Sequence, residues 1–233
     1  VIGAATTVDM YKRFLDEFKF PKSTSEEFNY CLKIKVDRVD GMIGLQQTNA
    51  IEDLAHKYNI LSTNPIRTPM ETGAVLTKDQ MPDEGSQEQK EMRNVPYRQL
   101  LGSLNYIAGI SRGDIAGALS VLSRYAVNPG HAHWKALKRV LVYLYHSKDK
   151  RLVFGSNRTP TKQPIEIFVD ADHAGCKDTA KSTTGIIVKM YGDTIFVKSK
   201  RQGKVSDSTT MAELHALQHG AKLQMHLRSL LMD

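Results

Sequence analysis

Cysteine, tryptophan and proline are scarce: two, one and eight in 233 residues. The two thiols, Cys31 and Cys176, make neither a disulfide framework nor a zinc site, and they suit a reducing compartment. No apolar run reaches the roughly 18 residues a membrane-spanning helix needs, so no such helix is expected. The N-terminus lacks a basic stretch followed by an apolar core, so no secretory leader is expected. What is present is ordinary for a globular chain, with 41% apolar and 24% charged residues and a length that suits one or two domains.

The net charge of +7 is uneven. Residues 1–95 carry twelve basic and fifteen acidic side chains, whereas residues 96–158 carry ten basic side chains against only Asp114 and Asp149. Residues 159–233 are nearly balanced, with ten basic and eight acidic side chains. A concentrated basic segment suits a phosphate-backbone partner, although a solvated helix face has the same composition.

The most informative stretch runs from Pro164 to Leu231. Ile165, Ile167 and Val169 alternate with Glu166 and Phe168, which predicts a strand ending at Asp170. Strand-like runs follow at Thr184–Met190 and Thr194–Lys198, joined through Tyr191-Gly192-Asp193, a hairpin signal. A helix should then start with Ser208, Thr209 or Thr210 as its cap and carry Glu213 in its first turn. Met211, Leu214, Leu217, Ala221 and Met225 read as its apolar stripe, continued by Leu223, Leu227, Leu230 and Leu231. This order lets Asp170 and Glu213, distant in sequence, meet at one end of a sheet. Taken singly, a strand-end Asp and a helix-start Glu serve solubility and the helix dipole equally well.

In combination these segments resemble the ribonuclease H domain of copia-type LTR retrotransposon Pol polyproteins. The matching residues are Val169-Asp170-Ala171-Asp172 with Ala174-Gly175, Lys181-Ser182-Thr183-Thr184-Gly185, Lys198-Ser199-Lys200-Arg201-Gln202 and Ser208-Thr209-Thr210-Met211-Ala212-Glu213-Leu214. His173 stands where the family usually has Trp, and Met211 where it has the first Glu of Glu-Ala-Glu. The resemblance implies hydrolysis of the RNA strand of an RNA–DNA hybrid by two divalent ions, Mg²⁺ for oxygen-only ligands. It implies Asp170 and Glu213 as catalytic, metal-binding acids; Asp172 suits a loop role. The family's third acid lies on a further strand, before Asn, and Asp233 cannot replace it, because about 30 Å of helix separates it from Glu213. Little or no activity is therefore expected of the 233 residues alone.

The resemblance extends upstream. Val1–Gly3 reads as a strand end, Val8–Phe20 as a helix stopped by Pro21, and the family's polymerase Tyr-x-Asp-Asp motif would stand before Val1. Asn29–Val36 and Met42–Leu45 read as strands around an Asp40-Gly41 turn, with Asn49–Tyr58 as a helix. The family commonly has Gly where Lys33 stands. Three apolar stripes between residues 96 and 147 predict helices, and Tyr97–Tyr106, Asp114–Ala116, Leu122–Tyr125 and His131–Leu141 match the family segment after the polymerase palm. Gly113 replaces the Pro of the family's Arg-Pro-Asp.

The expected fold class is α+β: a β-hairpin and helical connection region, then an incomplete ribonuclease H-like mixed sheet with one long helix. The expected divisions are 1–61, the end of a reverse transcriptase palm and start of the thumb; 62–95, an exposed linker; 96–158, helical thumb and connection; and 159–233, the first part of the ribonuclease H-like domain. Lys135, Lys138, Arg139 and Lys33 are the candidate nucleic-acid contacts. Expected partners are an RNA–DNA hybrid or other nucleic acid and the remainder of the polyprotein, with no membrane. The location implied is the cytoplasm, within a virus-like particle for an intact element, or the nucleus. The alternative reading is a non-catalytic nucleic-acid-binding relic of the same element.

Overall fold

The computed structural model describes residues 29–155 and 164–232. The strand and helix expected before residue 21, the basic Arg158 and the acidic Asp233 lie outside the described residues. Within them the architecture is α+β, with two antiparallel sheets and a helical layer between them in sequence. The mixed sheet expected in the C-terminal part is antiparallel throughout the described residues.

The first sheet orders its strands β1 (Tyr30–Cys31), β2 (Ile34–Val39), β3 (Met42–Gln46) and β4 (Leu152–Phe154). Asp40 and Gly41 both have positive φ, 51° and 76°, the backbone that a two-residue hairpin loop demands. The single strand expected over 29–36 is instead two, folded back on each other at Leu32 and Lys33, whose φ values are 50° and 63°. A side chain disfavours that left-handed backbone, so Lys33 carries a strain that glycine would not. Strand β4 pairs with β3 from more than a hundred residues away, Ile43 opposite Phe154 and Leu45 opposite Leu152.

Helices α1 (Thr48–Lys57), α2 (Gln87–Met92), α3 (Tyr97–Ile110), α4 (Ala116–Leu122) and α5 (His131–Tyr145) build the larger core. Leu100, Leu104, Ile107, Ile115, Leu119, Leu137, Leu141 and Leu144 are all essentially removed from water there. Residues 62–95 are exposed over most of their length but anchored: Ile66, Met70 and Leu76 pack on this core, and Met92 is buried. Those anchors are irregularly spaced, so no periodic pattern betrays them.

A charged knot closes the helical layer. Arg112, 2% exposed, donates two hydrogen bonds to Asp114, at 2.9 and 2.8 Å, and two more to Ser147, while Tyr143 donates its hydroxyl to Asp114 at 2.7 Å. Burial pushes the Asp114 carboxyl up, but the hydrogen bonds from Arg112 and Tyr143 outweigh it and hold the carboxyl below its ordinary range.

The second sheet is a meander of β5 (Ile165–Asp172), β6 (Thr183–Met190) and β7 (Asp193–Arg201), covered on one face by α6 (Thr209–Met232). Tyr191 and Gly192, with φ of 49° and 89°, form the loop between β6 and β7. The stripe expected to face the sheet does not: Leu214, Leu217 and Met225 are 55%, 57% and 73% exposed. Ala212, Ala216 and Gly220 lie against the sheet instead, with Leu223 and Leu227 beyond them. A β-carbon on Gly220 would stand 2.6 Å from Val169 Cγ1, so the helix comes closer than large side chains permit. Hydrophobicity alone selected the wrong face because the sheet-facing positions near Glu213 are small.

The two parts of the chain dock through α4 and β7. A β-carbon at Gly113 would sit 2.7 Å from Val197 Cβ, so glycine is what this approach requires. Arg124 donates to Thr183 Oγ1 at 3.1 Å, and Asp178 accepts both the Lys78 amide at 2.8 Å and the Tyr125 hydroxyl at 3.1 Å. Burial, reinforced by Asp178, pushes the Tyr125 hydroxyl up to about 12.

Candidate functional site

Strand β5 continues two residues past Asp170, so this acid lies inside the strand rather than at its tip. Strand alternation puts Ile165, Ile167 and Val169 on the α6 side, where Val169 and Ile167 meet Leu223 and Leu227. Asp170 therefore stands on the other face with Phe168, bordering a cavity of about 380 Å³ that Gly113, Gly117, Gly185 and Ser199 also line. Asp172 turns its carboxylate over Gly175, leaving no room there for a β-carbon, consistent with a role in shaping the loop.

Glu213 is the fifth residue of α6, just past the first turn in which it was expected. Ser208 is the cap, its hydroxyl accepting from the Met211 amide at 3.2 Å. From there Glu213 reaches back to the edge of β5 that is unpaired among the described residues, where Oε1 accepts from the Ala171 amide at 3.3 Å. The Glu213 carboxylate thus sits against the backbone of the residue next to Asp170. Asp170 projects from the face of β5 opposite the helix, whereas Glu213 reaches the neighbouring backbone over the strand edge, so the two carboxylates come to β5 from different sides.

The start of α6 is fixed by side chains that sequence reasoning did not single out. Gln202 donates from Nε2 to Thr184 Oγ1 at 3.0 Å and to the Ala212 carbonyl at 2.9 Å. Its Oε1 accepts from the buried Ser206 hydroxyl at 3.1 Å, and Ser206 in turn meets His215 Nδ1 and, through its carbonyl, His173 Nε2. Gln202 closes the Lys198–Gln202 motif, which was the available signal. By holding the first turns of α6 against β6, it sets where Glu213 lands.

Two carboxylates have the chemistry for Mg²⁺ but are too few to cage it: among the described residues no three His, Cys, Asp or Glu side chains group to hold a metal. The four candidate cationic contacts are not all free either. Lys33 pairs with Asp53 at 2.9 Å, Arg139 pairs with Glu71 at 3.3 Å, and Lys138 lies over the Trp134 ring. Lys135 has no ion-pair partner among the described residues; with Lys138 and Arg139 it borders a cavity roofed by residues 60–80. Among the described residues no helix is long and apolar enough to cross a membrane.

No family model matches the chain, and no solved structure matches it. Curated proteins do. The chain is 35% identical over 202 residues to the retrovirus-related Pol polyprotein from transposon TNT 1-94 of Nicotiana tabacum, covering 87% of this chain and 15% of that protein. It is 33% identical over 218 residues to the corresponding polyprotein from transposon RE2 of Arabidopsis thaliana, covering 92% of this chain and 14% of the relative. A shorter relative, secreted RxLR effector protein 161 of Plasmopara viticola, is 39% identical over 126 residues, 54% of this chain and 87% of that protein. The chain thus spans about a seventh of the length of the polyproteins it matches. On these similarities the chain belongs to the copia-type, retrovirus-related Pol polyproteins of transposons.

Proposed function

We propose that residues 164–232 are the acid-bearing part of a ribonuclease acting on RNA–DNA hybrids, and that the preceding residues are the thumb and connection of a reverse transcriptase. The observation that carries this reading is the Glu213 carboxylate on the Ala171 amide, beside Asp170. Such a pair supplies hard oxygen ligands, and Mg²⁺ is the ion expected for them. Two acids give a cation few ligands, so in these 233 residues the pair holds a cation without efficient hydrolysis. Lys135, exposed, and Lys138, half-buried over Trp134, are the cations best placed to meet a duplex backbone; Lys33 and Arg139 would first have to leave Asp53 and Glu71. The location that goes with this reading is the cytoplasm, within a virus-like particle for an intact element, or the nucleus.

The absence of a three-ligand group among the described residues favours a second reading, a nucleic-acid-binding relic with no catalysis. Incubation with a labelled RNA–DNA hybrid and Mg²⁺ separates the two from a fully active enzyme. The expected result is salt-sensitive binding with negligible cleavage. Rapid cleavage that Asp170→Asn or Glu213→Gln abolishes would overturn the inactivity, and failure to bind the hybrid would overturn the nucleic-acid reading altogether.

A further inference from the structure

Helix α5 turns a stripe toward residues 60–80 in which Ala132, Lys135, Ala136 and Arg139 follow the i, i+3, i+4, i+7 spacing of one helical face. The two alanines are too short to fill the space beneath the segment that roofs them, and a cleft of about 520 Å³ remains. Its lining is mostly apolar: Ile60, Ile66, Met70, Leu76 and Val142 all border it and belong to or pack on the larger core. Three cations, Lys135, Lys138 and Arg139, stand in its wall against a single carboxylate, Glu71. Two buried polar atoms of wall residues, Tyr58 Oη and Arg139 Nε, have no hydrogen-bond partner among the described residues. Burial pushes the Tyr58 hydroxyl up, so it stays protonated and able to donate.

A buried donor without an acceptor is costly, and so is apolar surface left in contact with water. A ligand with an apolar body and one oxygen-bearing anionic head relieves both. The bonds that Arg139 already makes are weak ones. Its Nη atoms donate to Glu71 and to Thr68 at 3.3 Å each, longer than the roughly 2.7–2.9 Å of a strong charge-assisted bond. Glu71 is also 62% exposed, so the pair contributes little and can part. The guanidinium fork matches a carboxylate in particular, through Nε and one Nη together. The volume is that of a small-molecule site rather than of a groove for a polymer.

We propose that the cleft between α5 and residues 60–80 binds a small apolar carboxylate, its body over Ala132 and Ala136 and its head on Arg139 and Tyr58, with the exposed Lys135 at the rim. Glu71 competes with the ligand for Arg139 and turns out to water when the ligand enters. The site needs neither Asp170 nor Glu213, so it stands apart from the hybrid-binding reading.

The test is titration of the 233-residue protein with naphthalene-2-carboxylate, followed by amide NMR and isothermal titration calorimetry, with naphthalene-2-carboxamide as the uncharged counterpart. The carboxylate should give saturable shifts at Ala132, Ala136 and Met70. Binding should be at least about tenfold weaker for the carboxamide, and at least about tenfold weaker for the carboxylate in Arg139→Gln. Ala136→Leu, which fills the floor, should weaken both compounds. Glu71→Gln, which frees Arg139, should tighten the carboxylate by about threefold. A merely structural role would not give opposite signs at Arg139 and Glu71, and circular dichroism verifies that each variant folds. Shifts that are absent or centred outside the cleft would overturn the proposal. So would wild-type affinity in both Arg139→Gln and Ala136→Leu, or equal affinity for carboxylate and carboxamide.

Discussion

Replacing Arg112 with alanine removes five interactions of one buried guanidinium: two hydrogen bonds to Asp114, two to Ser147 and a cation–π contact with Tyr143. It also strands the Asp114 carboxylate, which then keeps the Tyr143 hydroxyl and little else. Breaking a buried pair by deleting one partner costs about 3–5 kcal/mol. Asp114 retains 36% of its side-chain surface in water, so the lower end, about 3 kcal/mol, applies. Against a total stability of about 5–15 kcal/mol, that is a large fraction. In a chain of this size it lowers the midpoint of thermal unfolding by about 6–12 °C.

The effect also has a pH signature. The folded state holds the Asp114 carboxyl below its ordinary value, so the stabilisation is fully present above the unfolded value, about pH 4, and is lost as pH falls through the depressed folded value. The gap between wild type and Arg112→Ala should therefore narrow on acidification below about pH 4. Urea unfolding followed by circular dichroism at several pH values measures both quantities, and a cycle with Asp114→Ala isolates the pair. A loss below about 1 kcal/mol at neutral pH, the range of a surface ion pair, would refute the reasoning.

Other outcomes follow from the packing. Gly113→Ala should loosen the contact between α4 and β7, because its β-carbon meets Val197 at 2.7 Å; faster amide exchange in β7 than in β6 would report it, and unchanged exchange would contradict it. Lys33→Gly should stabilise the β1–β2 turn by about 1 kcal/mol, since φ of 63° strains a side chain and not glycine, as denaturant unfolding would register. His133 accepts from the Gly130 amide and faces the Thr77 carbonyl, and burial pushes its imidazole below the ordinary value. Its contribution is therefore present above about pH 6.5 and lost as pH falls through the lowered folded value, a dependence that His133→Gln should flatten. Leu217→Gln, on the outward face of α6, should change stability by less than about 0.5 kcal/mol, whereas Gly220→Leu should destabilise by more than about 2 kcal/mol.

Much of this architecture is legible in the residues. Asp40-Gly41 and Gly192 mark their turns because positive φ admits few residue types, and the stripes of α3 and α5 follow a helical period into a deep core. Strand β4 was not legible: three residues after a helix carry no pattern, and their pairing with β3 depends on contacts a hundred residues away. The face of α6 was misjudged for a related reason. A hydrophobic stripe identifies the most apolar face, whereas close approach to a strand selects Ala212, Ala216 and Gly220. At the site, local pattern singles out Asp170 and Glu213, but alternation along β5 decides which face Asp170 uses. The Gln202–Ser206–His215 chain was hidden because it consists of ordinary polar residues whose partners are set by tertiary folding.

The proposal that Asp170 and Glu213 hold one cation at β5 has a built-in reporter, the Ala171 amide that Glu213 accepts from. Mn²⁺, replacing Mg²⁺, should broaden the Ala171 amide resonance before those of β6 and β7, and both Asp170→Asn and Glu213→Gln should abolish that broadening. Broadening centred elsewhere, or persisting unchanged in the two variants, would contradict it.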